Sequence, residues 1–289
     1  MNKVLIVGGS YFIGPYLIDY LENSHFEIHI LNRGNKKLNK KFVYQHICDR
    51  RSDMISDVVS QIMPNVIIDL CAYEVGDIDR ILKKYQPKQY IYVSTANTYD
   101  FSEKLELIND KPDYKNNIVY NYVLNKKKLE IELMKYKEIC CTILNPAILY
   151  GPLNYANREQ FFLNSMIINN EVFLPSNSKS KFSMVYAADF AKIIGMCILN
   201  SDVYDNQFLV SGIDYVNWEI MHKVLKEIQK DCNFYLYTID TIKKEKIAIP
   251  FPIENDEYYP DQKIFDILKF EKTPLKEGLI NTYNSMKIR

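Results

Sequence analysis

The chain has 289 residues, 47% of them hydrophobic, which is enough to bury a substantial core in one large domain or in two closely joined ones. Its 36 basic residues are balanced by 36 acidic ones, so no overall electric field favours nucleic acid or an anionic membrane as a partner. No apolar stretch approaches the length of a membrane span, and the chain starts on a core strand pattern without a leader, so we expect a cytoplasmic protein with a small-molecule partner.

A glycine-containing turn lies near the N-terminus, between an apolar run at 4–7 and an amphipathic helical pattern. The run is typical of a buried parallel strand. The predicted turn has seven residues: Gly8, Gly9, Ser10, Tyr11, Phe12, Ile13 and Gly14. Glycines at such a junction allow a sharp turn and bring backbone amides against a pyrophosphate at the helix N-terminus. With a second strand at 26–31, the pattern predicts a dinucleotide-binding βαβ unit.

Strand and helix patterns alternate through the first half of the chain. Further strands are predicted at 42–47, 65–70, 89–94 and 140–144, and helices at 54–62, 75–84 and 121–137. Repeated βαβ units joined by short connections form a parallel sheet that is covered by helices on both faces. The predicted fold is therefore α/β, a doubly wound parallel (Rossmann) sheet.

The regular alternation ends near residue 150, where a smaller C-terminal lobe is predicted to begin. We expect a dinucleotide-binding domain at 1–150, with 182–215 packing back onto it through a strand, a helix and another strand. The segments 151–181 and 216–289 would form a substrate-binding lobe. Ligands of open α/β sheets bind at the carboxyl ends of the strands, so this lobe would close over a substrate there.

Hydroxyl, phenol and amine groups are predicted to converge at this edge of the sheet. Ser94 and Thr95 end a central strand, and Tyr122 and Lys126 lie four residues apart on one helix face. A tyrosine with the usual pKa of about 10 is a poor base at neutral pH, but an adjacent ammonium favours the phenolate. We therefore expect Lys126 to lower the pKa of Tyr122, which would accept a proton as hydride leaves.

The order of these motifs resembles that of the extended short-chain dehydrogenase/reductase family, also called the NAD-dependent epimerase/dehydratase family. The resemblance rests on the turn, on the segment 93–99 and on the pair Tyr122 and Lys126, and it covers nearly the whole chain. Later segments are similar as well: 145–152, 185–191 and 274–279. It implies that Tyr122 is the acid/base, that Lys126 holds the nicotinamide ribose, and that Thr95 hydrogen-bonds the reacting oxygen of a nucleotide-sugar.

Two departures from the family pattern bear on the reaction and the cofactor. Family dehydratases carry an Asp-Glu pair after the hydroxyl residue, whereas this chain has Ala96 and Asn97, so we expect an epimerase or a ketoreductase, which the sequence does not separate. The acidic residue expected after the second strand is replaced by Asn32 and Arg33, which favours NADP over NAD, although Arg33 also fits a solvated turn. Asp49 fits an adenine contact and a helix cap equally well.

Candidate substrate contacts are fewer and less specific. The phosphates of a nucleotide-sugar would need cations, for which Arg158, Lys179 and Lys181 are candidates, and Asn145 occupies the position of a family arginine. Six cysteines and four histidines show no metal-ligand or triad spacing, so we expect reduced thiols and no metal site.

Two expectations concern partners and a competing function. A homodimer is predicted through the helical segments 75–84 and 121–137, as in many members of the family. The bulky Tyr11 in place of the family's middle glycine leaves open an atypical, non-catalytic nucleotide-sensing or RNA-associated module. The balanced charge argues against nucleic acid, because nucleic-acid-binding proteins usually present a basic face.

Overall fold

The computed structural model describes residues 1–36, 40–99 and 118–287, which form eleven strands and ten helices. The strands are β1 (Asn2–Val7), β2 (Phe26–Asn32), β3 (Val43–Ile47), β4 (Val66–Asp69), β5 (Gln89–Val93), β6 (Cys140–Pro146), β7 (Ile148–Tyr150), β8 (Glu171–Pro175), β9 (Met184–Tyr186), β10 (Asn206–Val210) and β11 (Asn233–Tyr237). The helices are α1 (Ile13–Glu22), α2 (Ile55–Ile62), α3 (Asp77–Leu82), α4 (Ile118–Leu133), α5 (Glu159–Asn169), α6 (Ala187–Met196), α7 (Trp218–Ile228), α8 (Ile239–Lys244), α9 (Lys263–Leu268) and α10 (Leu275–Lys287).

Seven strands form one sheet in the order β10-β6-β5-β4-β1-β2-β3, and every neighbouring pair is parallel. The strands at its centre are buried on both faces, because side chains alternate between a layer with α1 and α6 and a layer with α2, α3 and α4. The prediction of a doubly wound α/β sheet is confirmed. Its carboxyl edge carries the ends of β1, β2, β4 and β5, where the sequence predicts the site.

The chain returns to the sheet after β8. The segment 206–210 joins the sheet beside β6, and α6 packs against α1. β9 instead pairs with β7 in a separate two-stranded sheet. β9 has only three residues, of which Val185 contributes to the sheet core that contains α1 and α6, while Met184 and Tyr186 face a third core outside the sheet layers.

A third core lies outside the sheet layers and is rich in aromatic rings. Phe162, Phe182, Trp218 and Phe251 are buried against one another, with ring centroids 5.2 to 6.4 Å apart. The parallel pair of β8 and β11 packs on it. Most of its residues belong to the segments predicted to form the smaller lobe.

Other features of the described residues concern thiols and membranes. All six cysteines have free thiols, and Cys141, Cys197 and Cys232 are buried. None of the helices in the described ranges combines the length and the apolarity that crossing a bilayer requires. In those ranges, His, Cys, Asp and Glu side chains form no group of three that could hold a metal ion.

Candidate functional site

A cavity of about 630 Å³ lies at the carboxyl ends of β1, β2 and β4. It is lined by six of the seven predicted turn residues, 8–13, and by Asn32, Arg33 and Asp49. Only Gly14 of the turn does not line it. The structure therefore brings the residues predicted for the adenosine and pyrophosphate parts of a dinucleotide to one cavity.

The glycines of the turn are needed for its shape. Gly8 and Gly9 have φ angles of 98° and 82°, which side chains with a Cβ rarely adopt. A Cβ on Gly14 would overlap the carbonyl of Gly9, so the first turn of α1 can pack on the loop only with glycine there. No side chain caps the N-terminus of α1, which leaves the amides of its first turn without a side-chain acceptor.

The end of β2 presents a cation to the cavity. The Asn32 side chain donates to Ser10 Oγ (2.9 Å) and accepts from the Gly34 amide (2.8 Å), so it fixes the turn. Arg33 lines the cavity and has no hydrogen-bond or ion-pair partner within the described ranges. Lys36 Nζ lies 5.6 Å from the ring centroid of the exposed Tyr11 at the rim. Arg33 is thus available to a bound anion.

Asp49 serves the local turn, and it also lines the cavity. Its Oδ1 accepts a hydrogen bond from the Arg51 amide (2.9 Å), two residues on, and so closes a turn that precedes α2. The Arg51 side chain is paired with Glu74 at the surface. The predicted helix cap is therefore wrong, because α2 begins only at Ile55 and has no side-chain cap, while the adenine contact stays a prediction.

A buried ion pair beneath the cavity was not predicted from the sequence. Arg50 donates from both terminal nitrogens to the carboxylate of Asp69 (2.8 and 3.0 Å), and Tyr90 donates to the same carboxylate (2.7 Å). Burial acts to raise the pKa of Asp69, but the charge and hydrogen bonds of Arg50 hold it below its usual value. The sequence does contain a signal for this ion pair, because an arginine that follows β3 and an aspartate that ends β4 meet at the same edge of a parallel sheet.

The three predicted catalytic residues come together at the end of β5. The Thr95 side chain lies beside the Tyr122 phenol, where a hydrogen bond between them favours the phenolate form. Lys126 is 2% exposed, and its Nζ donates to the Val93 carbonyl (2.9 Å). The same nitrogen lies 5.8 Å from the ring centroid of Tyr122 and 4.6 Å from that of Tyr73.

The predicted lowering of the Tyr122 pKa is wrong. Burial raises the pKa of Tyr122 to about 12 and the phenol of Tyr155 adds to this, while the charge of Arg158 and the Thr95 hydrogen bond act weakly in the opposite direction. Burial also lowers the pKa of Lys126 to about 8. At neutral pH Tyr122 is therefore a protonated phenol, which can donate a proton.

Two tyrosines that the sequence analysis missed separate the cavity from this trio. Tyr155, in the loop between β7 and α5, packs edge-on against Phe12 (6.0 Å between ring centroids), and its phenol lies close enough to Tyr73 to help raise the pKa of that residue. Both tyrosines line the cavity, whereas Thr95 and Tyr122 do not. Tyr73 also faces Tyr122, 6.2 Å away between centroids. The aromatic pair forms the cavity wall on the side of Tyr122.

The predicted substrate residues lie in different environments. Arg158 stands at the N-terminus of α5, near enough to Tyr122 for its charge to favour the phenolate. Lys179 and Lys181 are exposed, and Lys181 lies over the ring of Tyr215 (4.7 Å). Asn145 is fully buried beneath Thr95, so its side chain does not face the crevice as the prediction of a substrate contact requires.

Comparisons with known proteins show which family the chain resembles. Residues 4–81 match the model of the NAD dependent epimerase/dehydratase family. The predicted family resemblance is confirmed. The chain is 24% identical to the chloroplast stem-loop binding protein of 41 kDa b of Arabidopsis thaliana. The alignment covers 98% of this chain and 79% of that protein.

Two other proteins, one named as a dehydratase and one as an epimerase, are also similar to the chain. The dTDP-D-glucose 4,6-dehydratase of Dictyostelium discoideum is 23% identical over 78% of this chain and 62% of its own. The solved UDP-glucose 4-epimerase of Thermotoga maritima superposes with a TM-score of 0.76 at 17% identity and covers 99% of both chains. The epimerase/dehydratase fold therefore extends well beyond the segment that matches the family model.

Proposed function

We propose that the chain is an NAD(P)-dependent oxidoreductase or epimerase that acts on a nucleotide-sugar by hydride transfer at a ring hydroxyl or keto carbon. The observation that carries this proposal is that Thr95, Tyr122 and the buried Lys126 lie together next to the glycine-turn cavity. A bound nicotinamide dinucleotide would supply or accept the hydride. Tyr122 would exchange the proton with the substrate oxygen, and Thr95 would hold that oxygen.

The protonation state of Tyr122 favours one direction of this chemistry. With a pKa of about 12, the phenol keeps its proton at neutral pH and is ready to donate it to a carbonyl oxygen that gains negative charge. Reduction of a keto-sugar needs such a donor, whereas oxidation needs the phenolate. This supports a nucleotide-sugar 4-ketoreductase that uses NADPH as the finer form of the proposal.

We propose that Arg33 selects NADP, because it lines the cavity without a partner in the described ranges and no carboxylate stands at the end of β2. Replacing it should remove a charge-assisted contact with the 2′-phosphate. We expect Arg33→Ala to weaken NADP binding by about tenfold, which is about 1.4 kcal/mol, and to leave NAD binding unchanged. Titration calorimetry with both cofactors measures this.

A matched control for this experiment is Arg51→Ala, since Arg51 also lines the cavity but is already paired with Glu74. It should change the preference for NADP much less. Equal NADP affinity in the Arg33→Ala variant and the parent protein would contradict the proposed selection.

Tyr155 is proposed to move when the nicotinamide end of the cofactor reaches Tyr122. Without the Tyr155 ring, cofactor binding no longer has to break the contacts with Phe12 and Tyr73, so the free energy of binding should become more favourable. We expect Tyr155→Ala to tighten NADP binding by about three- to tenfold and to leave the affinity for 2′-phospho-ADP-ribose, which lacks nicotinamide, unchanged.

The control for Tyr155 is Tyr155→Phe, which keeps the ring and removes only the phenol oxygen. An equal change in affinity for both ligands in the Tyr155→Ala variant would show that Tyr155 does not separate the two ends of the site.

We propose that the substrate lies between this edge of the sheet and a smaller lobe made of 151–181 and 216–289. Arg158 is the predicted cation that stands nearest to Tyr122, which supports it as the contact for the substrate diphosphate. Lys179 and Lys181 line neither of the two cavities described for this chain, of about 630 and 310 Å³, and remain weaker candidates.

A homodimer is proposed through α3 and α4. Ile131 and Met134, three residues apart at the end of α4, are 53% and 46% exposed, so they offer an apolar patch to a second copy. Light scattering of the purified protein should give twice the chain mass of 34.1 kDa. A monomeric mass would contradict the proposal.

A second candidate function is RNA association. It is favoured by the similarity along 98% of the chain to a protein named for stem-loop binding, and opposed by the balanced charge. Titration with a labelled stem-loop RNA separates the two functions. Micromolar binding that weakens steeply with salt, together with an absence of NADP binding, would favour the RNA-associated function.

A further inference from the structure

A stripe of three chemically active side chains runs along the face of α4 that meets the sheet. Tyr122, Lys126 and Glu130 are spaced four residues apart, which places them above one another on one side of a helix. Lys126 and Glu130 are 2% and 1% exposed. The roles proposed above use Tyr122 and Lys126 and leave the buried carboxylate of Glu130 without a function.

The Glu130 carboxylate is surrounded by donors. Its Oε1 accepts from Ser94 Oγ (2.7 Å), Thr98 Oγ1 (2.7 Å) and Asn145 Nδ2 (2.8 Å). Its Oε2 accepts from Lys127 Nζ (3.0 Å). Burying a carboxylate is costly unless its oxygens are hydrogen-bonded, and these donors meet that requirement. The negative charge is what holds three donors on a single oxygen.

Three of the four donors that bind Glu130 flank or contact Thr95. Ser94 precedes Thr95 in the chain, and Thr98 follows it in a short 3-10 turn that Thr95 itself caps. The Asn145 amide that contacts Glu130 also donates to the Thr95 carbonyl (3.0 Å). Thr95 is therefore held by its backbone from both sides, while its Oγ1 accepts from the Asn97 amide (3.5 Å) and lies beside Tyr122.

We propose that Glu130 is a positioning residue that fixes the strand end 94–98 so that the Thr95 hydroxyl stays in contact with Tyr122 and with the substrate oxygen. This inference rests on the proposed function of Thr95 and Tyr122. Glu130 is buried and touches no predicted ligand, so its effect on the reaction passes through Thr95.

The test is the variant Glu130→Gln, which keeps the shape of the side chain and removes the charge. We expect kcat to fall by about 10- to 100-fold, because a small displacement of a catalytic group is enough for such a loss, with the affinity for NADP unchanged. In the Thr95→Ala variant, adding Glu130→Gln should lower kcat almost no further, since the two residues act as one unit.

A matched control is Glu132→Gln on the same helix. Glu132 is 3% exposed, and its carboxylate accepts from the Gly76 and Asp79 amides at α3 (2.8 and 2.9 Å), away from Thr95. We expect the Glu132→Gln variant to be less stable than the parent protein, without a selective loss of kcat. If both glutamine variants lose kcat and stability to the same extent, Glu130 is a structural residue only and the inference fails.

A readout independent of turnover separates this inference from the proposed function. The Thr95 hydrogen bond favours the Tyr122 phenolate, so displacing Thr95 should raise the Tyr122 pKa further, measurable by NMR of labelled tyrosine with Tyr122→Phe as the assignment control. If the Glu130→Gln variant does not fold, Ser94→Ala replaces it, because this change removes one donor to Glu130 and keeps the charge. We expect Ser94→Ala to raise the Tyr122 pKa as well. An unchanged Tyr122 titration in both folded variants overturns the inference, whereas a shifted titration in a protein without turnover overturns only the proposed function.

Discussion

We expect Tyr122→Phe to lower turnover by about a thousandfold while leaving the affinity for NADP unchanged. The substitution removes only the phenol oxygen, and general acid catalysis by one positioned group contributes about 10²- to 10⁴-fold. Tyr122 does not line the glycine-turn cavity, so the adenosine half of the cofactor should bind as before. The measurement is nicotinamide absorbance with a panel of nucleotide-sugars, together with calorimetry for NADP.

The control for this experiment is Tyr136→Phe, just beyond the end of α4. Tyr136 donates to Asp79 at the surface (2.8 Å) and has no contact with Thr95 in the structure, so its loss should leave turnover intact. Unaltered turnover in the Tyr122→Phe variant would refute the acid/base role. A parallel loss of NADP affinity would instead make Tyr122 a binding residue.

The second large effect is expected on stability, from Asp69→Asn. This change removes the carboxylate that binds both terminal nitrogens of Arg50 and leaves the buried guanidinium its longer contact with the Asp77 carboxylate (3.3 Å). Breaking a buried pair costs about 3–5 kcal/mol. The substitution also weakens the hydrogen bond from Tyr90. Urea denaturation should show a lower midpoint for the variant. The surface change Glu74→Gln, which breaks the exposed Arg51 pair, should cost less than about 1 kcal/mol.

The pH dependence of the Asp69→Asn effect gives a further check within the same experiment. The folded-state pKa of Asp69 lies below its usual value, so the pair contributes stability above the unfolded pKa of about 3.9 and loses it as the pH falls through the folded pKa. The two proteins should therefore differ most at neutral pH and converge in acid. A difference that stays constant with pH would mean that the ion pair is not its source.

Local patterns in the sequence were sufficient for the sheet and the turn. A run of apolar residues followed by closely spaced glycines can be recognised without the rest of the chain, because strand burial and backbone freedom depend on neighbouring residues. The order of the predicted strands and helices then required a parallel doubly wound sheet, and it also placed Thr95, Tyr122 and Lys126 at the carboxyl edge. The pairing of β9 with β7 did not follow from that order, since a three-residue strand carries little pattern.

The ionisation of the site depended on contacts that the sequence does not show. A tyrosine and a lysine four residues apart suggested an acidic phenol, but the pKa of Tyr122 is set mainly by burial and by Tyr155, which comes from a distant loop. Asn145 was expected at the substrate and instead lies beneath Thr95, held by Glu130.

The amino-acid sequence by itself determined the fold, the dinucleotide turn and the identity of the residues that meet at the sheet edge, because these follow from periodicity, glycine positions and chain order. Only the tertiary structure decided the pKa of Tyr122, which side chains form the cavity wall and which carboxylates are buried. Desolvation and charge interactions act through space between segments that are far apart in the chain, and no local pattern encodes them.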